Sequence, residues 1–157
     1  MSQKFNTFSH KVIYIMCIND EAHYGLLKVG DTTVKNIVDI TKLEDNSHEL
    51  NAAAQERIRS YTQTAAIRYE LLYTTLAVNS KGVSFRDYDV HEVLKRSGIN
   101  KKYFDLKNKA DEWFIADLET VKNALKAVKD GNASLDASQI TDDKSPIVFR
   151  PEQDKAI

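Results

Sequence analysis

Tyr14, Lys28, Arg57, Asp87, His91 and Glu112 are the side chains whose types and spacing could carry chemistry together. Arg57 offers a planar fork of donors that fits a phosphate group. Arg59, two residues on, projects from another face of the same segment and suits that role less well. Asp87 and His91 stand four residues apart, so on a helix both project from one face. A single carboxylate with waters and substrate oxygens suits Mg²⁺, which keeps much of its hydration shell. Tyr14 can orient or deprotonate a water if Lys28 beside it lowers its pKa. Gly30 lets the backbone turn or approach a ligand closely. An activated water, a cation for the transition-state oxygens and a divalent ion are the needs of phosphodiester hydrolysis.

These side chains require a sheet and helices to hold them. Residues 11–18, KVIYIMCI, are a short apolar run rich in β-branched and aromatic types, which reads as a buried strand. YGLLKVG at 24–30 reads as its hairpin partner across the polar NDEAH turn, and the pairing brings Tyr14 near Lys28. From Thr32 to Ser47 periodicity does not decide between strand and helix. HELNAAAQERIRSYT at 48–62 reads as a helix, with Ala54, Ile58 and Tyr61 on one face and Ser47 or Asn51 as its cap. RYELLYTTLAV at 68–78 reads as a strand. Ser84, followed by Asp87, opens a second helix that turns Val90, Val93 and Leu94 inward and stops at Gly98. EWFI at 112–115 reads as a short strand, and Asp117 caps a third helix running to Gly131, with Leu118, Val121, Leu125 and Val128 as its stripe. The fold class is α+β: a small, mostly antiparallel central sheet flanked by helices over residues 1–130. A polar, aperiodic stretch at 131–145 reads as a flexible linker, and residues 146–157 as the start of another unit.

Composition narrows the class. The chain has 157 residues, 42% hydrophobic and 29% charged, which excludes wholesale disorder and allows one domain with a sizeable core. Lys+Arg number 22 against 23 Asp+Glu, so no global basic field exists, although a local patch remains compatible with nucleic acid. The lone Cys17 excludes a disulfide framework or a thiolate zinc site built by this chain alone. No apolar run approaches the roughly 18 residues of a membrane helix, and the N-terminus has no signal-peptide core. The expectation is a cytoplasmic protein with no membrane partner; nothing in the sequence sets its oligomeric state.

KVGDT at 28–32 and EWF at 112–114, after Val12-Ile13-Tyr14, resemble the motifs of the GIY-YIG nuclease superfamily. They look most like its phage- and restriction-associated branch, where the second motif takes a K-[IV]-G-x-T form and the domain closes with E-W-F. The resemblance covers about Val12 to Leu125. It implies a GIY-YIG-like fold and a DNA endonuclease using one Mg²⁺ or Mn²⁺. Tyr14 and Lys28 would surround the water, Arg57 would support the phosphate, Asp87 would hold the metal, and His91 and Glu112 would be supporting polar groups. Two positions depart from the superfamily's pattern. Lys28 replaces the second-motif tyrosine, as is usual in this branch. Asp87 replaces a longer glutamate, which leaves Asp89 and Glu92 as alternative metal ligands.

The tail adds a second resemblance. Phe149-Arg150-Pro151-Glu152-Gln153 with Ala156-Ile157 is similar to the Q-motif, R-P-x-Q-x-x-A-I, of superfamily-two helicases of the DEAD/DEAH type. It implies that Gln153 reads the adenine of ATP, that ATP belongs to a motor not included here, and that this chain is the N-terminal piece of a restriction-type helicase. Every candidate also has a purely structural role open to it. Tyr14 suits a core, Lys28 a solvated strand, Asp87 a helix cap, and His91 a hydrogen-bonded core edge, while Glu112 and Trp113 can pin the last helix to the sheet. The rival function is therefore a catalytically inactive module that binds nucleic acid or docks protein. A groove lined by Lys11, Lys28, Arg57 and Arg59 is the expected mark of DNA contact.

Overall fold

The apolar run at 11–18 shows no polar alternation because the strand it forms is covered on both faces. In the computed structural model, which describes residues 8–37, 43–62, 69–103 and 112–141, β1 (Phe8–Ile18) lies between β2 (Leu26–Ile37) and β3 (Tyr69–Leu76). Val12, Tyr14, Met16 and Ile18 turn to one face, and Ile13, Ile15 and Cys17 to the other, all of them buried. β5 (Glu112–Ile115) pairs with β2 at Leu26 and Leu27, and β4 (Lys101–Tyr103) pairs with β5. The order is β3-β1-β2-β5-β4 and every pairing is antiparallel. Three residues carry no readable period, so β4 left no mark in the sequence.

Among the described residues one helix covers the first face and two cover the second. α1 (His48–Thr62) has the bounds expected of it and buries Ala54 and Ile58 over Tyr14, Met16, Leu26 and Trp113, and Leu50 against Val12 and Val34. The Ser47 hydroxyl accepts from the Leu50 N–H and begins the helix. On the opposite face α2 (Asp87–Arg96) and α3 (Leu118–Asp130) pack Val90, Val93, Leu94, Val121 and Leu125 against Ile13, Ile15, Val29 and Phe114. The fold is α+β with a central antiparallel sheet between helices.

Several local expectations change. The undecided segment after Thr32 continues β2 as far as Ile37. Ser84 does not open α2. It bridges to Val78, Arg86 is the N-cap, and the Asp89 carboxylate accepts from the Arg86 N–H at 3.0 Å. Asp117 does cap α3, accepting from the Thr120 N–H at 3.0 Å, and Gly131 ends it with a left-handed φ of 83°.

The stretch expected to be a flexible linker at 131–145 is docked as far as Thr141. Leu135 is buried in the core, the Arg96 Nε donates to the Ala133 carbonyl at 2.6 Å, and the Thr141 hydroxyl donates to Asp117. These bonds join residues far apart in the chain, and no local pattern announces them. Residues 142–157, with the expected ATP-reading Gln153, lie outside the described residues. No helix among the described residues is long and apolar enough to cross a membrane.

β3 is an edge strand, and the loop before α1 covers it. Asn46, at a left-handed φ of 62°, donates its N–H to the Thr74 carbonyl at 2.9 Å, and its side-chain oxygen accepts from the Thr74 N–H at 3.0 Å. Asp45 beside it accepts from the Tyr73 and Thr75 hydroxyls, and Lys129 of α3 donates to Thr75 at 2.7 Å.

Cys17 gives this core a direct probe. Burial, with a smaller contribution from the Glu70 charge, pushes its thiol from 9.0 up to about 12. The thiol is expected to resist alkylation in the native state and to react at the rate of global unfolding. Because the folded value is the higher one, its share of stability is complete below pH 9 and is lost as pH rises toward 12. Thiol labelling along a urea series, with melts at pH 8 and 10, measures both.

Candidate functional site

The site is built on the register of one hairpin. Tyr14 of β1 stands opposite Gly30 of β2, and Met16 opposite Lys28, so Tyr14, Lys28 and Gly30 share the α1 face. The hydroxyl end of the Tyr14 ring stands against Gly30. A Cβ at that position would stand 2.5 Å from the ring Cζ and 2.9 Å from Cε1, so only glycine leaves the ring its place. Tyr14 is 2% exposed. Lys28 extends along the same face with its Nζ 5.7 Å from the centre of the Trp113 ring, and Trp113 packs in one cluster with Tyr14. From the turn end, the His23 ring meets the Trp113 ring at 4.8 Å and 62°.

Arg57 stands one residue before the inward-facing Ile58 and three after Ala54, on the flank of α1 that looks toward β2. A groove of about 1010 Å³ runs there, lined by Arg57, Glu49 and Glu56 of α1, Asp31 to Lys35 of β2, Lys11 and Arg86. β5 pairs with β2 only at Leu26 and Leu27, and the groove follows the β2 edge past that pairing. It therefore reaches both faces of the sheet. Of the four cations named from the sequence, Lys11 and Arg57 line it. Lys35 and Arg86 join them, and Lys28 and Arg59 are not among its lining residues. Three carboxylates, Asp31, Glu49 and Glu56, offset most of that positive charge.

Asp87 and His91 do not join Tyr14. Asp31 faces away from Tyr14, being opposite Ile13 in the register, and it is Asp31 that anchors α2. Its carboxylate takes the Arg86 Nε at 2.6 Å, Nη2 at 3.3 Å, and the Asp87 backbone N–H at 3.1 Å. Burial alone would raise the Asp31 pKa, but the Arg86 and Asp87 hydrogen bonds, with the Arg86 and Lys11 charges, hold it below the usual carboxylate range. The Asp87 carboxyl is pushed up, first by burial and then by the Asp31 charge, with His91 opposing. The two carboxyls thus compete for charge. His91 donates its Nε2–H to the Val29 carbonyl at 2.9 Å, and its ring lies 5.2 Å from that of Phe114. It closes the β2 edge as a core-edge histidine does.

The expected constellation is accordingly split by the sheet. Tyr14, Lys28 and Arg57 stand on the α1 side, Asp87 and His91 on the α2 side, and the groove touches both through Asp31 and Arg86. The alternatives to Asp87 are engaged elsewhere: Asp89 holds the Arg86 N–H, and Glu92 lies 3.5 Å from Lys95 and 3.7 Å from Arg96. Glu112 begins β5, two residues before the Phe114 that pairs with Leu27. Asp31, Lys35, Arg86 and Trp113 are groove and face residues that the motif reading gave no site role. Asp31 lies within KVGDT and Trp113 within EWF, and those were the signals available.

Among the described residues no three His, Cys, Asp or Glu side chains converge on a point that could hold a metal. Hydrated Mg²⁺ takes as few as one or two carboxylates; Asp31 has both oxygens on Arg86 and the Asp87 N–H, which leaves the Asp87 carboxyl beside it as the candidate donor. Comparison with protein-family models, curated proteins and solved structures finds no match to this chain.

Two stability measurements test this geometry. Gly30→Ala is expected to cost about 1–3 kcal/mol of overpacking in the native chain and close to nothing in a Tyr14→Ala background. Equal costs in both backgrounds would deny the contact. Without added metal at pH 7, Asp87→Asn is expected to keep or raise the melting temperature, because the raised carboxyl pKa means that its ionised form costs stability. Asp31→Asn is expected to lower stability by about 1–3 kcal/mol, since it weakens the acceptor of three hydrogen bonds.

Proposed function

We propose that this chain is a metal-dependent DNA endonuclease domain of the GIY-YIG type, acting at the N-terminus of a restriction-type helicase. The observation that carries the reading is the Tyr14–Gly30 contact across the hairpin, with Lys28 on the same face and Arg57 on the adjoining groove wall.

In this reading a DNA phosphate lies where the groove meets the α1 face. Arg57 presents its guanidinium to the non-bridging oxygens and stabilises the charge that builds on them in the transition state. Tyr14 would orient or deprotonate the attacking water, with Lys28 two residues from Gly30 on the same face as the nearby source of positive charge. Asp87 would hold Mg²⁺ or Mn²⁺, which when bound would supply charge neutralisation for the phosphoryl oxygens. The helicase motor rests on the tail sequence around Gln153 alone, with ATP used there.

The rival reading, a module that holds DNA without cutting it, is favoured by a specific observation. Asp87 and His91 stand on the far side of the sheet from Tyr14.

Nicking of supercoiled plasmid separates the two. With Mg²⁺ or Mn²⁺ the chain is expected to nick, EDTA to abolish nicking, and Arg57→Ala to reduce it about 100-fold or more. Asp87→Asn is expected to lose metal-dependent nicking while staying folded. Salt-sensitive binding without nicking, persisting when the full-length parent is supplied with ATP, would leave the binding module as the function.

A further inference from the structure

The β2 edge along the groove keeps backbone groups that the sheet does not use. Along an antiparallel strand the N–H and C=O groups of successive residues point to opposite sides. Leu27 pairs with Phe114 on the side away from β1, and the Val29 carbonyl accepts there from His91 Nε2 at 2.9 Å. Asp31 and Thr33 follow in the same phase. Lys11, opposite Thr33, turns the other way and gives its carbonyl to the Ala77 N–H at 2.9 Å. The backbone N–H and C=O of Asp31 and Thr33 therefore face the groove, and no described residue bonds them. Past Val34 the register with β1 shifts and the regular edge ends.

The groove walls say what kind of chain fits this edge. On one side α1 presents the small Ala52 and Ala53 between Glu49 and Glu56. On the other, Lys11 shares the face of Asp31 and Thr33, Arg86 engages the Asp31 carboxylate, and exposed Lys35 is the last β2 residue along the groove. A residue paired with Thr33 would put its side chain on that cationic face, and its two neighbours would fall toward α1. A carboxylate suits the first position. Small uncharged side chains suit the neighbours, because an acid there would meet the two glutamates.

We propose that the groove is a strand-addition site for an extended segment of a partner protein. The segment runs antiparallel to β2, as β5 does on the same edge, with an acidic residue opposite Thr33 and small uncharged residues beside it. Main-chain bonds to Asp31 and Thr33 supply the affinity, and the Lys11, Arg86 and Lys35 charges select the acid. The inference stands apart from the phosphodiester reading. Because Arg57 lines the same groove, a bound strand and DNA compete for it.

Peptides added to the native full chain test this without a variant that must fold. The probe is a capped peptide of one Glu with three Thr on either side. It is expected to slow amide hydrogen exchange at Asp31 and Thr33 and to leave Thr32, already paired with Val12 of β1, unchanged. N-methyl groups on the Glu and on the second residue after it remove the two donors aimed at β2, and are expected to weaken binding about tenfold or more. N-methyl groups on the two residues flanking the Glu point to solvent and are expected to weaken it less than about threefold. Equal weakening by both patterns, or no slowing at Asp31 and Thr33 with about 1 mM peptide, overturns the inference. Duplex DNA that slows those two amides where the peptide does not assigns the edge to nucleic acid and overturns it as well.

Discussion

The absence of one Cβ organises the functional face. Tyr14 can lie across β2 only because Gly30 stands opposite it, and the antiparallel register then forces Lys28 and Met16 into the next pair. α1 packs Ala54 and Ile58 over the same ring, which directs Arg57 to the flank beside β2. A slip of one residue in that hairpin would turn Tyr14 to the opposite face and bury Ile13 beneath α1 instead. Packing and site geometry therefore depend on a single contact.

The short β2–β5 pairing makes the groove. Because β5 leaves β2 after Leu27, the edge beyond it is reached from both faces, and Asp31 and Arg86 from the α2 side meet Arg57 from the α1 side. Electrostatics there are local. Arg86 and Lys11 keep Asp31 ionised, and Asp31 in turn opposes ionisation of Asp87. Cations and carboxylates both line the groove, in keeping with a chain whose Lys+Arg and Asp+Glu totals are 22 and 23. Any grip on a nucleic acid must come from a few placed groups such as Arg57, and its salt dependence should be correspondingly shallow.

Strong local signals explain what the sequence made legible. α1 announced itself through Ala54, Ile58 and Tyr61 at helical spacing with Ser47 or Asn51 at its start, and α3 through Asp117 and Gly131 at its ends. The Tyr14–Lys28 neighbourhood followed from counting across a hairpin. Which face α2 would take was invisible, because helical spacing makes Asp87 and His91 neighbours of each other without saying what they face. That choice is made by Asp31, whose bonds to Arg86 and Asp87 cross more than fifty residues. The docked segment through Thr141 was hidden for the same reason: a threonine on a distant capping aspartate has no periodicity.

The most direct test of the account is a chemical-shift titration of the ¹⁵N-labelled chain with a short DNA duplex in Mg²⁺. Binding at the groove and the Tyr14 face should move the amides of residues 28–35 and 48–60 together, with the β3 edge around Asn46 and Thr74 left in place. Changes confined to α3 and the β3 edge, or none at all, would contradict the account.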